Sequence, residues 1–341
     1  MNVGILGAGN ISDTHARAAR AAGLQVVAVF GDNRDKARRL AEQHEATAFD
    51  SLDALLRHPT LDLVMIGSPS GCHADHATAA VRAGRHVLVE KPLDISTPRI
   101  DSLLNEVARA NVTLGVFFQD RLKPDIVEMK RRIDAGNIGT IVLATGEVKW
   151  FRPPEYYAAS RWRGTWALDG GGALMNQGIH TVDLMLYLLG PVTRLSGSIA
   201  TRFHKIEAED TASGTFEFAS GALGTIEATT AAPPGRPRRL EIVGSADTLV
   251  LEGDHLVMPR ATQDGERIAG PATTPAKPEN ASSPIVSDVS AHQRIIEDFV
   301  DAIRLGRPPV CDGREGRRSV EVVEAVYRSA RQNVVIDLRP V

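Results

Sequence analysis

The sequence has very few cysteines. Only Cys72 and Cys311 occur among its 341 residues, far apart and in no metal-ligand spacing. This scarcity excludes a disulfide framework and a cysteine-based zinc site, and it favours a reducing compartment. We therefore predict a cytoplasmic protein that holds no metal ion.

Long apolar segments and an excess of one charge are also lacking. No run of about 18 consecutive apolar residues occurs, so no membrane-spanning helix is predicted. Met1 leads directly into an apolar segment, without the basic and apolar regions of a secretory signal peptide. Lys and Arg number 39 and Asp and Glu 42, which leaves a net charge of −3. This balance gives no reason to expect a nucleic acid or a membrane as a partner.

The first 120 residues alternate between short apolar segments and amphipathic ones. The apolar segments are rich in Val, Ile and Leu, which is typical of strands covered on both faces: residues 3–6, 25–30, 63–66, 86–89 and 113–118. Helices are predicted between them, over residues 11–22, 34–44, 73–83 and 98–110. This alternation predicts a doubly wound parallel sheet, and hence a dinucleotide-binding Rossmann domain over residues 1–120.

Residues 121–341 follow a different pattern and predict a second, α+β domain. Helices are predicted over residues 123–135, 172–189, 290–305 and 314–332. A large, mostly antiparallel open sheet is predicted from segments in which apolar and polar residues alternate and which glycine-containing turns separate. These segments are residues 195–203, 211–218, 223–230, 239–243 and 248–251. Residues 261–287, rich in Pro, Ala, Thr and Ser, predict a surface loop.

The turn after the first predicted strand has the pattern of a dinucleotide-binding loop. Gly7 makes the tight turn, and Gly9 lets the backbone approach a pyrophosphate. Ser12 replaces the third glycine of the motif, and its small size still lets helix and strand pack closely. Asn10 and Ile11 open the helix, whose first N–H groups bind an anion well. A glycine-rich turn without a ligand is the alternative.

The end of the second predicted strand bears on the choice between NAD and NADP. Asp32 can accept a hydrogen bond from the 2′-hydroxyl of the adenosine ribose and would repel a 2′-phosphate. Arg34, two residues later and beyond Asn33, can instead pair with that phosphate. We therefore favour NAD and keep NADP as the alternative. Without a ligand, Asp32 is interpreted as a helix N-cap and Arg34 as a solvated side chain.

Glu90, Lys91 and Pro92 follow the predicted strand 86–89. In open α/β sheets ligands lie outside the carboxyl ends of the strands, which is where Lys91 falls. An ammonium group there can hydrogen-bond a substrate hydroxyl and stabilise negative charge that develops on its oxygen. It can also relay a proton where burial lowers its pKa. The alternative is a surface lysine paired with Glu90. The same cleft should be lined by the residues that end the preceding strand, Ser68, Pro69 and Ser70.

A polar stripe runs along the otherwise apolar helix predicted over residues 172–189. Asn176, His180, Asp183 and Tyr187 fall in one sector at about 3.6 residues per turn. Because the remaining surface is apolar, the helix should be buried, and the stripe must meet partners or a ligand. His180 is suited to general acid/base catalysis, since imidazole titrates near neutral pH. A core histidine paired with Asp183 is the alternative.

Tryptophan and arginine alternate in residues 161–166, upstream of this helix. Interleaved aromatic and basic residues can bind nucleic acid, but the acidic balance of the chain argues against that partner. The wall of a sugar-sized pocket or a cofactor contact fits Trp162 and Arg163 better, and a protein interface is the alternative.

These motifs together resemble the Gfo/Idh/MocA family, which includes glucose–fructose oxidoreductase and inositol dehydrogenases. The resemblance covers nearly the whole chain. It rests on the glycine turn, Pro69-Ser70 with His73, the Glu-Lys-Pro sequence of residues 90–92, and residues 170–183, 209–211 and 221–224.

The resemblance implies a Rossmann domain and an α/β domain whose open sheet faces substrate on one side and often a second subunit on the other. It implies Lys91 as the catalytic lysine and His180 as the acid/base for the hydroxyl proton. Gln119 and Arg121 match positions near the nicotinamide, and Trp162-Arg163 resembles a loop that reaches the cofactor. The further residues that we assign to the cofactor are His73, Glu90, Lys91, Gln119, Trp162 and Arg163.

One position departs from the family pattern. Many inositol and sugar dehydrogenases of the family carry Asp where this chain has Asn176. An asparagine can orient a hydroxyl but cannot accept its proton at neutral pH. We therefore expect His180, together with Lys91, to carry the proton transfer.

The sequence thus predicts an NAD(P)-dependent oxidoreductase that moves a hydride between nicotinamide and a secondary hydroxyl of a sugar, cyclitol or sugar derivative. We expect a homodimer or homotetramer formed through the C-terminal sheet. Two alternatives stay open. The first is a glycosidase that oxidises its substrate transiently, as some relatives in the family do. The second is a dinucleotide-binding sensor without catalytic activity.

Overall fold

The computed structural model describes residues 1–257, 260–261, 267–268 and 288–339, which form two compact units. The first unit comprises Met1–Gln119, Trp166–Gly170 and Val286–Glu321, and the second comprises Asp120–Thr165, Gly171–Ile285 and Val322–Val341. The predicted domain boundary after residue 120 lies one residue beyond Gln119, where the first segment of the first unit ends. The first unit therefore also includes two segments from the range predicted as the second domain.

A six-stranded parallel sheet forms the first unit, with the order β3-β2-β1-β4-β5-β6. This confirms the predicted doubly wound sheet, and the order reverses between β1 and β4, where such folds bind ligands. The strands are β1 (Asn2–Leu6), β2 (Gln25–Phe30), β3 (Thr47–Ala48), β4 (Leu63–Ile66), β5 (His86–Val89) and β6 (Leu114–Val116). The alternating helices are α1 (Asn10–Ala21), α2 (Arg34–Gln43), α3 (Leu52–Leu56), α4 (His73–Arg82) and α5 (Thr97–Arg109).

An eight-stranded sheet forms the second unit, with the order β13-β12-β11-β7-β10-β9-β8-β16. Its neighbours pair antiparallel except for β10 and β7, which confirms the predicted, mostly antiparallel sheet. The strands are β7 (Ile141–Lys149), β8 (Val192–Ala200), β9 (Thr211–Phe218), β10 (Leu223–Thr229), β11 (Arg239–Gly244), β12 (Thr248–Glu252), β13 (His255–Val257) and β16 (Ile336–Asp337).

The predicted loop over residues 261–287 lies largely outside the described residues. At its start, β14 (Arg260–Ala261) pairs antiparallel with β15 (Arg267–Ile268), so this part is not loop throughout. The remaining helices are α6 (Pro124–Asp134), α7 (Pro154–Ala158), α8 (Ile179–Leu189), α9 (Ser290–Leu305) and α10 (Gly313–Gln332). In the described ranges none of the helices has the length and apolar character needed to cross a bilayer.

The segment that carries Asn176 is a π-helix and not the regular α-helix that the sequence predicted. Ala173–Gly178 forms the wider turns, and α8 begins only at Ile179. Side chains from elsewhere in the unit bind the first N–H groups. The N–H groups of Gly172 and Leu174 donate to Glu209, and that of Met175 donates to Tyr327. Since the first N–H groups of a helix have no acceptor within the helix itself, these contacts fix where the segment begins.

Glu209 is the buried acid that holds the start of this segment. Its side chain lies in a residue that is 1% exposed, and it accepts three hydrogen bonds of 2.8 Å, from Gly172 N, Leu174 N and Tyr327 Oη. Gly172 packs so closely that a Cβ there would lie 1.8 Å from the Glu209 carbonyl oxygen. Burial raises the pKa of Glu209 to about 7, although the three donors act in the opposite direction.

This raised pKa predicts a specific pH dependence of stability. Because folded Glu209 retains its proton to higher pH than the unfolded chain, its contribution is complete below about pH 4.5 and is lost as pH rises to about 7. Over that window the stability of the wild type relative to Glu209→Gln should fall by about 3 kcal/mol. Denaturant unfolding of both proteins at several pH values measures this difference.

Asp210→Asn is the matched control because the pKa of the neighbouring Asp210 is shifted the other way. Burial opposes ionisation of Asp210, but the N–H groups of Arg202, Phe203 and His204 hold its pKa below the usual value. The wild type should therefore gain stability over Asp210→Asn as pH rises through the acidic range. A pH-independent difference between the wild type and Glu209→Gln would contradict the prediction for Glu209.

Candidate functional site

The turn between β1 and α1 contains two glycines that serve different purposes. Gly7 has φ +111°, its N–H donates to Phe30 O at 2.8 Å, and a Cβ would lie 2.5 Å from Gly67 O. The fold itself therefore requires glycine at position 7. At Gly9 a Cβ would meet no described atom within 4 Å. Gly9 therefore leaves open space that the fold does not need and that a ligand can occupy.

The N-terminus of α1 borders this space. Gly9 is the N-cap residue and provides no side-chain hydrogen bond to the first turn, which begins with Asn10 and Ile11. The helix is 12 residues long, so its N-terminal N–H groups present a positive dipole end to an anion. The residues of this turn fit the pyrophosphate of a dinucleotide.

The residues after β2 take three different positions. Asn33, and not Asp32, is the N-cap of α2, and its side chain accepts from Lys36 N at 3.0 Å. Arg34 Nε lies 3.6 Å from Asp50 Oδ1 on the surface. Asp32 is exposed at the end of the strand. The interpretation of Asp32 as a helix cap is therefore wrong, and its exposed carboxylate lies one residue beyond the position where a ribose acid is most expected.

The loop after β4 is held by His73. The imidazole is 1% exposed, with Nε2 2.9 Å from Ser68 O and Nδ1 2.7 Å from Pro92 O. Burial lowers the pKa of His73, although the two carbonyl groups act in the opposite direction. His73 thus ties the loop after β4 to the loop after β5. The Ser68 hydroxyl contacts His76 Nδ1 at 2.9 Å, while Ser70 begins a short 3-10 turn after Pro69.

Lys91 follows the end of β5 and is partly exposed. The side chain of Glu90 is directed inward, where Oε2 accepts from Lys91 N at 3.0 Å and Oε1 lies 3.1 Å from His15 Nε2. Burial opposes ionisation, yet His15, Lys91 and His292 hold the pKa of Glu90 at about 2. Because Glu90 is 6% exposed, it is not a surface partner of Lys91, although the charges of the two residues interact.

The sequence analysis did not identify His15 or His292. With Glu90 they form a group whose possible metal-ligand atoms lie within 4.8 Å of one another. A histidine among the alanines of the buried face of α1 was the available signal for His15. No spacing in the sequence connects His292, on α9, to either residue.

In the second unit His180 faces a buried acid. His180 Nδ1 lies 3.6 Å from Asp120 Oδ2. Asp120 also pairs with Arg238 Nη1 and with Lys123 Nζ, the latter at 2.7 Å. Burial opposes ionisation of Asp120, but Arg238, Lys123 and His180 hold its pKa well below the usual value. Asp120 is therefore an anion beside the His180 ring.

The rest of the polar stripe has partners within the second unit. Arg121 donates twice to Asp183, from Nε at 2.8 Å and from Nη2 at 2.7 Å, and both side chains are 1% exposed. The Arg121 guanidinium also lies 4.8 Å from the centre of the Tyr187 ring. The predicted alternative of a His180–Asp183 pair is thus wrong, because Arg121 occupies the carboxylate.

Asn176 belongs to a network of polar side chains. Gln177 Nε2 donates to Asn176 Oδ1 at 2.9 Å, and Arg152 Nη2 donates to Gln177 Oε1 at 3.3 Å. The Arg163 guanidinium stacks over Tyr156 at 4.3 Å and lies 5.4 Å from the Trp162 ring centre. The network therefore holds the Asn176 side chain from one side.

In the first unit Gln119 provides a buried acceptor. Its Oε1 has no hydrogen-bond partner among the described residues. Because a buried acceptor without a partner is costly, this atom is a candidate contact for a ligand.

Comparisons with known proteins identify relatives of both parts of the chain. Residues 1–118 match the family model described as "Oxidoreductase family, NAD-binding Rossmann fold", and residues 126–250 match the "GFO/IDH/MocA C-terminal domain". The chain is 27% identical to inositol 2-dehydrogenase of Rhizobium meliloti, with 98% of each chain covered. It is 28% identical to D-xylose 1-dehydrogenase (NADP+) 2 of Haloferax volcanii, with 90% of each covered.

A solved structure is similar in both sequence and fold. It is the WlbA dehydrogenase from Bordetella pertussis in complex with NADH and UDP-GlcNAcA. The identity is 31%, the TM-score is 0.86, and the match covers 99% of this chain and 98% of that one. With both domain models matched in order, this chain belongs to the Gfo/Idh/MocA family of oxidoreductases.

Proposed function

We propose that the protein is an NAD(P)-dependent dehydrogenase or reductase that acts on a secondary hydroxyl of a sugar, cyclitol or sugar derivative. The observation that carries this proposal is the open space at Gly9, at the N-terminus of α1 and beside the strand-order reversal of the first sheet. It fits a dinucleotide, and Lys91 follows the end of β5 in the same unit. Matches to relatives named as inositol and xylose dehydrogenases support the substrate class.

In this mechanism the alcohol loses a proton from its oxygen and a hydride from its carbon. The bound nicotinamide supplies the hydride acceptor. Lys91 donates a hydrogen bond to the hydroxyl oxygen and stabilises the negative charge that develops there. His180 accepts the proton at Nε2, since ionised Asp120 beside Nδ1 favours the tautomer with the proton on Nδ1. Asn176, held by Gln177, orients the ring.

NAD is the proposed cofactor, with NADP as the alternative. The exposed Asp32, which follows the end of β2, supports NAD. Arg34 lies with its Nε 3.6 Å from Asp50, and binding of NAD does not require it. The other residues proposed to contact the cofactor are Gly7, Gly9, Asn10, Ile11, Asn33, Ser68, Pro69, Ser70, Gln119, Trp162 and Arg163. For His73 and Glu90, which are buried, the backbone is the part proposed to face the cofactor.

A homodimer or homotetramer through the eight-stranded sheet is also proposed. On β9 and β10 residues alternate between buried and exposed, and the exposed set includes Glu217, Leu223 and Glu227. Leu143 on β7 lies beside Leu223 in the sheet and is 42% exposed. These residues give the sheet an accessible face with an apolar patch. Cytoplasmic localisation stays a prediction from the cysteine content.

None of the relatives described above is named as a glycosidase or a sensor. Neither alternative from the sequence therefore gains support. Release of free sugar without net formation of reduced cofactor is the assay result that identifies a glycosidase.

Substituting Lys91 and His180 tests the mechanism. With NAD or NADP and a panel of inositols, aldoses and UDP-sugar uronates, nicotinamide absorbance reports turnover. Lys91→Ala should lower kcat/KM by about 10²–10³-fold and His180→Gln by about 10²–10⁴-fold, while NADH affinity changes little. The control His255→Gln, at an exposed histidine, should keep full turnover. Unchanged turnover in Lys91→Ala would remove the lysine from the mechanism.

Gly9→Ala tests the cofactor site without changing the fold. The new Cβ meets no described atom, so thermal stability should stay the same, whereas the dinucleotide loses its close approach to the backbone. NADH affinity, measured by fluorescence titration, should fall at least about tenfold, or about 1.4 kcal/mol. The control Gly84→Ala, where a Cβ also meets nothing but φ is +72°, should lose some stability and still retain affinity. Equal affinities in wild type and Gly9→Ala would place the pyrophosphate elsewhere.

Asp32→Ala tests the choice of cofactor. Removing the carboxylate removes both a ribose acceptor and the repulsion of a 2′-phosphate, so the ratio of kcat/KM with NADP to that with NAD should rise roughly tenfold or more. Asp35→Ala, an exposed acid in the first turn of α2, should leave this ratio unchanged. A wild type that prefers NADP would contradict the proposed role of Asp32.

A further inference from the structure

The two carboxylate oxygens of Glu90 contact different parts of the first unit. Oε2 accepts the N–H of Lys91, the residue proposed to bind the substrate hydroxyl, at 3.0 Å. Oε1 lies 3.1 Å from Nε2 of His15, on the helix that follows the phosphate-binding turn. Glu90 therefore connects the backbone of Lys91 to α1 through a single side chain.

The His15 ring has one well-defined orientation. Its side chain is 0% exposed and stacks on Phe117, with ring centres 4.2 Å apart and planes 9° from parallel. This stacking directs Nε2 at Glu90. The Glu90 backbone is fixed as well, because its N–H donates to Ile66 O at the end of β4. Three contacts thus set the position of the carboxylate: His15 on α1, Ile66 O at the end of β4, and Phe117 just after β6.

Keeping Glu90 ionised inside the protein costs free energy of desolvation. Burial disfavours the ionised form, and the groups that face the carboxylate offset it: His15 from α1, His292 from α9 at 4.0 Å, and the neighbouring Lys91. His73 from α4 also senses the charge of Glu90. A buried charge held by polar neighbours contributes little net stability compared with apolar packing. Its presence is therefore better explained by what it does to Lys91.

We propose that Glu90 and His15 are positioning residues for Lys91. The Glu90 carboxylate fixes the backbone that presents the lysine and keeps a negative charge near its ammonium group, and His15 holds the carboxylate in that orientation. A metal ion on His15, Glu90 and His292 is the competing explanation, and elemental analysis of the purified protein separates the two. The catalytic consequence rests on the proposed function, whereas the positioning itself does not.

Two measurements on the folded protein test the positioning without turnover. The first is hydrogen exchange of the Lys91 amide. Glu90→Ala should speed this exchange at least about tenfold, because the acceptor is lost, while Glu90→Gln, which keeps an acceptor oxygen, should stay close to wild type. The second is competitive acetylation of the Lys91 amine against pH. In Glu90→Gln the amine should become about tenfold more reactive at neutral pH, because less negative charge stabilises its ammonium form.

His15 and its control extend the same test. His15→Ala should show the Glu90→Ala phenotype, and His15→Gln, whose amide can donate to Glu90, should restore slow exchange. The control His44→Gln removes another buried histidine that pairs with an acid, Asp13 at 3.0 Å, but has no bond to β5. It should lose stability and leave both Lys91 readouts unchanged.

Kinetics then separate this inference from the proposed function. If the wild type turns over a polyol, Glu90→Gln should lower kcat about 10- to 100-fold with KM nearly constant and shift the pH profile, and His44→Gln should not. If the wild type turns over nothing, the proposed function fails, and the exchange and acetylation results still decide the positioning. Wild-type values for both Lys91 readouts in Glu90→Ala, or one equivalent of bound zinc by elemental analysis, would overturn the inference.

Discussion

A carboxyl group buried without hydrogen-bond or charge partners is unfavourable, whether or not it is ionised, and this constraint fixes the backbone around the candidate catalytic residues. In the first unit Glu90 accepts the N–H of Lys91 and a bond from His15. In the second unit Glu209 accepts the N–H groups that open the segment of Asn176, and Asp120 lies beside His180. Each acid finds its donors in one arrangement of the chain, so each also specifies where a neighbouring functional side chain lies.

The sequence predicts the framework well because the framework depends on local patterns. Near-continuous Val, Ile and Leu segments identify the buried parallel strands, and the rule that ligands lie at strand carboxyl ends places Gly9 and Lys91. Alternation of polar and apolar residues likewise identifies β9 and β10. These signals act over a few residues and need no knowledge of distant partners.

Partners that are distant in sequence account for most of what could not be predicted. His180 and Asp183 are three residues apart, so helical spacing suggested that they pair, yet Arg121 takes Asp183 and Asp120 faces His180. The start of the π-helix from Ala173 to Gly178 is likewise held by Glu209 and Tyr327, which bind its first N–H groups. The sequence of the helix contains no sign of either contact, since each depends on a residue far along the chain.

Under the proposed function, these arrangements serve the removal of a hydride and a proton from a secondary alcohol. The most direct test follows the hydride itself, with a substrate deuterated at its carbinol carbon and with oxidised cofactor. Mass spectrometry of the reduced cofactor should show one deuterium from the substrate, in an amount equal to the ketone formed. Reduced cofactor without deuterium, or ketone without reduced cofactor, would contradict hydride transfer to nicotinamide.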